Sequence, residues 1–389
     1  MREGWRVARL GGVCSFEKEQ NIHVGLPYVG LENIESGTGR FLGAENSVSV
    51  KSATFRFTAA HVLYGRLRPY LNKVLLPEFE GHCSTEIFPI LAGREVLREY
   101  LFHWLSTDAT VNLIDATSTG ARMPRANMNA VLDFEIPVPP LPEQRRIVSI
   151  LDEAFEAIAT AKANTERNLR NARELFEGHH QAVLARAGEG TACERLGDFA
   201  SFRNGINYTK QSRGRTVRII GVKDFQNHFW APLDDLDSVT LDGDLSPADR
   251  VAEGDILAVR SNGNPALIGR CMTVGRVADQ VTHSGFTIRI TVRREKAFPS
   301  YVCQFMRSRA VRRKLIDGGN GLNIKSLNQG MLSEIIVPLP TIAMQQKAVA
   351  GIEQMAIETS CLADVVARKL AALDELKKSL LHQAFSGAL

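Results

Sequence analysis

The chain is written twice. Residues 137–148, PVPPLPEQRRIV, return at 338–349 as PLPTIAMQQKAV, an offset of 201. The same offset aligns GARMPRAN at 120–127 with GLNIKSLN at 321–328, Tyr100 with Tyr301, and Leu175 with Leu376. One residue more brings His180-Gln181-Ala182 onto His382-Gln383-Ala384. Upstream the offset shrinks to 186, where RLGGVCSF at 9–16 matches RLGDFASF at 195–202. An ordered series of matches implies two related halves that differ by insertions in their first 120 or so residues. A length of 389 residues already argues against a single core.

Each half opens on a mixed segment. Extended runs at 28–34, 62–67 and 85–91 alternate with Gly and Pro punctuation, and 219–225, 256–260 and 287–292 are their counterparts. One helix is expected near 95–106 and another at 299–316. This pattern suggests an α+β domain of about 140 to 150 residues in each half. Proline-rich hinges at 136–142 and 337–340 then forbid helix, because proline lacks a donor and biases the residue before it.

Past each hinge the period changes. Apolar or small residues fall at Ile147, Leu151, Ala154, Ile158, Ala161, Thr165, Leu169, Ala172 and Leu175, and again at Ala348, Ile352, Met355, Thr359, Leu362, Val366, Leu370, Leu373 and Leu376. Steps of four and three alternate as in a coiled-coil seam, with one extra step of four in both copies. Helices over 143–186 and 343–386 would each reach roughly 65 Å. Two such helices in equivalent places most simply pack on each other, though each could instead lie on its own domain. Gly178 marks a bend or an end, since Gly costs about 1 kcal/mol against Ala in a helix. The resulting partition is 1–141 and 190–341 as mixed domains, with 142–189 and 342–389 as helical spacers.

No familiar active site can be found. There is no G-x-x-x-x-G-K-[ST] loop, no H-E-x-x-H, no G-x-S-x-G elbow and no Asp- or Asn-Pro-Pro-aromatic motif. The glycine cluster at 318–321 reads as a turn. His179-His180 is better placed as a solvated or seam pair than as metal ligands, because neighbours on a helix point about 100° apart. The six cysteines are scattered without a C-x-x-C pair, and no apolar run approaches a membrane span. The start lacks a signal-peptide core, so an intracellular, cytoplasmic protein without membrane contact is expected.

Charge is more telling by segment. Residues 1–141, 142–189, 190–341 and 342–389 carry net charges of −1, −1, +6 and 0, and arginine outnumbers lysine 34 to 13. Arginine favours bidentate recognition of phosphate or guanine. Residues 46–77 hold Lys51, Arg56, Arg66, Arg68 and Lys73 with no acid, interleaved with Tyr64 and Tyr70. Residues 199–223 hold Arg203, Lys210, Arg213, Arg215, Arg218 and Lys223, again with no acid. Arg307, Arg309, Arg312, Arg313 and Lys314 crowd a helix. The loops at 122–127 and 260–264 offer Arg and Asn, the types that read guanine and adenine edges. Candidate DNA contacts are therefore Arg66, Arg68, Tyr70, Lys73, Arg122, Arg125 and Asn127 in the first half, and Lys210, Arg213, Arg215, Arg260, Asn262, Asn264, Lys325 and Asn328 in the second.

With its hinge-and-helix signature PVPPLPEQRRIVSILDEAF at 137–155, the second copy of it, and the ending LLHQAFSGAL at 380–389, the chain resembles the specificity subunits of type I restriction–modification systems. The second hinge departs from the pattern, with Met344 for Glu143 and Ala348 for Ile147. The resemblance implies two target-recognition domains held apart by an antiparallel coiled coil. It implies double-stranded DNA bound at a split, asymmetric site, two DNA-methyltransferase subunits, and translocating restriction subunits. Glu143, Gln144, Ile147, Leu151, Gln345 and Ile352 are the expected partner contacts. No cofactor is expected in this chain; S-adenosylmethionine, ATP and magnesium would belong to the partners, and the chain itself would not be an enzyme. Two other classes stay open on the residues alone. A self-sufficient DNA-modifying enzyme would act when purified alone, and a scaffold binding only proteins would show salt-insensitive binding without preference among DNA sequences.

Overall fold

A computed structural model describes residues 4–23, 25–43, 52–209, 211–225, 229–318 and 326–389. The chain forms two compact units, one of residues 1–167 with 366–389 and one of 168–365. Among the described residues no helix is long and apolar enough to cross a membrane, and no group of three or more His, Cys, Asp or Glu could hold a metal ion.

Unit 1 is built on a four-stranded antiparallel sheet whose spatial order is Cys14–Phe16, Ile87–Ala92, His61–Gly65 and Val74–Leu75. A second sheet runs Gln20–Asn21, Thr54–Phe57, Gly81–Cys83 and Tyr28–Val29, and its last pair is parallel. The strand Arg6–Arg9 pairs with Glu135–Val138, closing the domain at the hinge. Helices Arg98–Leu105 and Asp108–Ala116 follow the sheets, the second capped by the Thr107 hydroxyl accepting from Thr110 N.

Unit 2 repeats the plan. Its four-stranded sheet is Ala200–Asn204, Thr287–Val292, Ile256–Val259 and Cys271–Thr273. A three-stranded sheet of Asp237–Thr240, Thr216–Ile220 and Val281–His283 again ends in a parallel pair. Cys193–Arg195 closes onto Ile336–Pro338. The helix expected over 299–316 is two, Pro299–Arg307 and Arg309–Gly318, broken at Ser308. Equivalent glycines show how closely the copies agree. A Cβ on Gly11 would stand 3.2 Å from the Leu132 side chain, and one on Gly197 would stand 2.7 Å from that of Ser333.

Two long helices complete the units, Leu141–Gly188 and Ile342–Ser386. Both hinges are latched from within. Tyr100 Oη donates to Pro137 O at 2.9 Å, and Tyr301 Oη to Pro338 O at 3.1 Å. In unit 1, Ile147 and Leu151 share a core with Leu381 and Ala384, Lys162 pairs with Asp374, and Arg146 Nη2 donates to Leu389 O. In unit 2, Leu184 and Ala187 share a core with Ala348 and Ile352. The beginning of each helix thus meets the end of the other, which is antiparallel packing.

The seam departs from expectation in its last third. Leu175 is 67% and Leu376 47% exposed. The inward face continues instead through Phe176, buried His180 and Leu184 in the first helix, and through Lys377, Leu381 and Ala384 in the second. Steps of four from Phe176 through His180 to Leu184, and from Leu373 through Lys377 to Leu381, shift the stripe one position past Leu175 and Leu376. Gly178 does not end its helix. The helix runs ten residues further, and nothing stands within 4 Å of where a Cβ would be.

Candidate nucleic-acid interface

Backbone pairing brings two separate loops together at the same place in each unit. In unit 1, Leu67 and Thr119 both bridge to Arg125, Arg68 N donates to Pro124 O at 2.7 Å, and Ala126 N donates to Arg66 O at 2.9 Å. In unit 2, Ser261 bridges to Ser326, and Leu327 N donates to Arg260 O at 2.8 Å. Arg66 and Arg68 therefore join Arg122, Arg125 and Asn127, while Arg260, Asn262 and Asn264 join Asn328. Arg213 and Arg215 are exposed in a different segment, where the Arg213 main-chain N–H donates to Asp242 Oδ1. Lys51, Lys210, Lys325 and most of the glycine cluster lie outside the described residues.

The geometry of the first loop is strained. Arg68 and Asn72, at φ of 51° and 45°, are the two non-glycine residues with positive φ among the described residues. They flank the short 3-10 turn Pro69–Leu71, where Tyr70 is 54% exposed. A left-handed residue other than Gly costs roughly 1–2 kcal/mol and tends to occur at functional sites. Three hydrogen bonds support the loop from behind. Asn72 Nδ2 donates to Ser106 O, and the Lys73 ammonium donates to Leu31 O at 2.6 Å and Ile34 O at 2.9 Å. Lys73 is thereby drawn into the fold and spends its donors on carbonyls, which removes it from the exposed cations.

Runs that lack acids in sequence do not lack them in space. Arg56 pairs with Glu80, Arg203 with Asp249, Arg218 with Asp279 and Lys223 with Asp237. Arg66 and Arg125 share one partner that the sequence windows missed. Their Nε atoms donate to the two oxygens of Glu86 at 3.0 and 2.8 Å. Glu86 lies nine residues beyond the window that holds Arg66, at the start of an extended run, so only the pairing of that strand could have exposed its role. Arg66 also lies 5.4 Å over the Phe88 ring. Arg68 and Arg122 are exposed and carry no ion pair among the described residues, as do Arg213 and Arg215.

Asparagines shape the loops. Asn127 accepts from Asn129 N and Ala130 N, and Asn328 from Met331 N, each at the start of a short helix. Asn262 accepts from Asn264 N, and Asn264 from Ala266 N at the 3-10 turn Pro265–Leu267. Their oxygens hold turns, and their amide NH2 groups keep donor capacity. Phe286, 60% exposed, hydrogen-bonds through its main-chain carbonyl to Arg260 N, as the Glu86 carbonyl does to Arg66 N. It is a candidate contact that the residue pattern alone did not reveal.

The expected partner contacts are corrected by burial. Gln144, Leu151, Gln345 and Ile352 are fully buried and Ile147 is 1% exposed. Gln144 receives Leu97 N and donates to Glu95 O and Pro139 O, and Gln345 makes the corresponding three bonds. These five residues hold each hinge against its own domain. Glu143 alone reaches the surface, beside Arg146.

A model of the type I restriction modification DNA specificity domain matches residues 2–168. The EcoDI specificity subunit of Escherichia coli is 31% identical over 161 residues, covering 41% of this chain and 35% of that protein. The EcoKI specificity subunit of Escherichia coli K12 is 22% identical across 100% of this chain and 89% of its own length. Among solved structures, a chain from a study of complex assembly in the type I R-M system superposes with a TM-score of 0.83 at 22% identity, covering 100% of this chain and 99% of that one. The HsdS subunit of Thermoanaerobacter tengcongensis superposes at 0.64, with 21% identity over 100% and 98% of the two chains. Residues 2–168 thus match the type I restriction modification DNA specificity domain, and the chain as a whole shares its fold with the HsdS subunit.

Proposed function

We propose that this chain is the DNA-reading subunit of a type I restriction–modification complex, binding double-stranded DNA at a bipartite, asymmetric site with one half-site per unit. The observation that carries this reading is the repeated loop frame with different side chains on it: Arg68, Arg122 and the Glu86-held arginines in unit 1, Arg260, Phe286 and asparagine turns in unit 2. One frame with two chemistries reads two unlike half-sites. Exposed guanidinium groups neutralise phosphates, while those held rigid by a carboxylate present a fixed fork to a base edge.

The chain carries out no reaction in this proposal. Methyl transfer from S-adenosylmethionine falls to two methyltransferase subunits, and the ATP- and magnesium-dependent steps fall to restriction subunits, all in the cytoplasm. The test is methylome sequencing of a host that carries the partner subunits, with and without this chain. A split, non-palindromic motif should vanish with the chain; an unchanged methylome would sink the reading. Replacing Arg66, Arg68, Arg122 and Arg125 by Ala should relax one half-site only, and equal loss at both would refute the assignment of that cluster.

A further inference from the structure

Behind its loops, unit 1 is filled by a ring. Phe155 lies edge-on to His103 at 5.5 Å, and Lys377 Nζ sits 5.0 Å from the Phe155 centroid while donating to Gly37 O at 2.9 Å. His103 Nε2 is 2.8 Å from Asp152 Oδ1. The offset of 201 that equates Tyr100 with Tyr301 and Gln144 with Gln345 also equates Phe155 with Ala356, His103 with Gln304 and Lys377 with Phe176. In unit 2 the ring stands on the other helix, as Phe176, and Ala356 borders a cavity of about 460 Å³. Volumes of about 300–1,000 Å³ are those of ligand sites.

Three arginines, Arg270, Arg307 and Arg312, line that cavity with the rings of Phe176, Phe229 and Trp230, and two carboxylates, Glu177 and Glu353, stand at its wall and leave the lining one positive charge in excess. Arg270 Nε and Arg312 Nη2 both donate to the Ala266 carbonyl, at 3.3 and 2.7 Å, which crowds two like charges around one oxygen. Arg307 donates to Cys271 O at 2.7 Å and lies 5.4 Å over Phe229. Arg312 Nε is buried with no hydrogen-bond partner. Burial, and then Arg270, hold the Arg312 pKa below its ordinary value against the opposing pull of Glu177, and the unpartnered Nε–H leaves a donor for an anion.

We propose that this cavity binds a nucleotide, its phosphate gripped by Arg270, Arg307 and Arg312 and its base stacked on the aromatic side chains. Inorganic phosphate would answer the guanidinium groups but leave the rings idle. A neutral aromatic would leave the charges crowded. A nucleotide uses both, and it can come free or as an unpaired residue of a nucleic acid.

Titration calorimetry on the full chain tests this with the four nucleoside 5′-monophosphates, inorganic phosphate and a short single-stranded oligonucleotide. At least one monophosphate or the oligonucleotide should bind, and which of them binds tells the two sources apart. Ala356→Phe, which installs the ring that unit 1 carries, should weaken binding at least about tenfold, a loss readily measured. Arg312→Gln should do the same, and Phe176→Leu replaces Ala356→Phe if that variant fails to fold. The proposal is overturned if no nucleotide binds, if inorganic phosphate binds as tightly, or if the variants retain affinity. None of these residues belongs to the loops read as DNA contacts, so the outcome is independent of that reading.

Discussion

The two loop clusters share a frame and differ in how their residues are held. In unit 1 the chain passes from Arg66 to the turn-forming Pro69 through two residues, whereas in unit 2 it passes from Arg260 to Pro265 through four. The shorter path forces Arg68 into the left-handed region at φ 51°, while Asn264, at the same point before its proline, keeps an ordinary φ of −96°. Glu86 clamps two arginines in the first loop, and an exposed phenylalanine takes its place in the second. What stays constant is the main-chain pairing between loops and the asparagine that starts the following helix. Insertion and side-chain exchange change what the loops present without disturbing the main-chain frame that holds them.

The holding parts should break most severely. Gln144 makes three hydrogen bonds at 2.8 Å, while one of the three from Gln345 stretches to 3.4 Å. Gln144→Ala leaves a buried amide and two carbonyls unpaired and should cost about 4 kcal/mol; Gln345→Ala should cost about 3 kcal/mol. Urea unfolding of both variants measures the difference. Equal losses would show that the longer bond in unit 2 carries as much as its counterpart.

A smaller effect should appear on acidification. His82 and His283 are equivalent, each fully or almost fully buried, with Nδ1 against a threonine hydroxyl and Nε2 without a partner. Burial lowers both pKa values, and at His283, where Arg289 adds to the effect, the value falls to about 4. A base whose folded pKa is depressed adds stability that is whole above its unfolded pKa of about 6.5 and is lost as pH falls towards the folded value. Unit 2 should therefore lose on the order of 3 kcal/mol between pH 6.5 and 4. Melting of the wild type and His283→Gln across that range is the check. If the variant loses stability as steeply, His283 is not the group responsible.

The repeat, the hinges and the two long helices were legible because each rests on local rules, while their antiparallel arrangement came only with the family resemblance. Proline positions and the spacing from Ile147 to Ala172 need no knowledge of distant residues. The Arg and Asn clusters also marked the two loop segments whose backbones pair in each unit. What stayed hidden was the pairing. Nothing local says that Glu86 reaches Arg66 and Arg125, that Lys73 turns inward to two carbonyls, or that Gln144 is a latch and not a docking residue. Each depends on a strand or turn arriving from 20 to 50 residues away. The cavity by Ala356 was hidden for another reason: it is visible only as a difference between two copies already superposed.

Strain in the first loop gives the mildest test of the comparison. Arg68→Gly removes the left-handed penalty and should stabilise the protein by up to about 1 kcal/mol, after allowing for the greater backbone entropy of Gly in the unfolded chain. Asn264→Gly relieves nothing and sacrifices a turn-holding oxygen, so it should be neutral or lose a few tenths of a kcal/mol. Thermal melting measures both. The functional sign should be opposite to the stability sign: Arg68→Gly loses an exposed cation and loosens Tyr70, so methylation should relax at one half-site while the protein becomes more stable. A variant that is both more stable and unchanged in its motif would show that the left-handed turn is an accident of loop length and not a device for aiming Arg68.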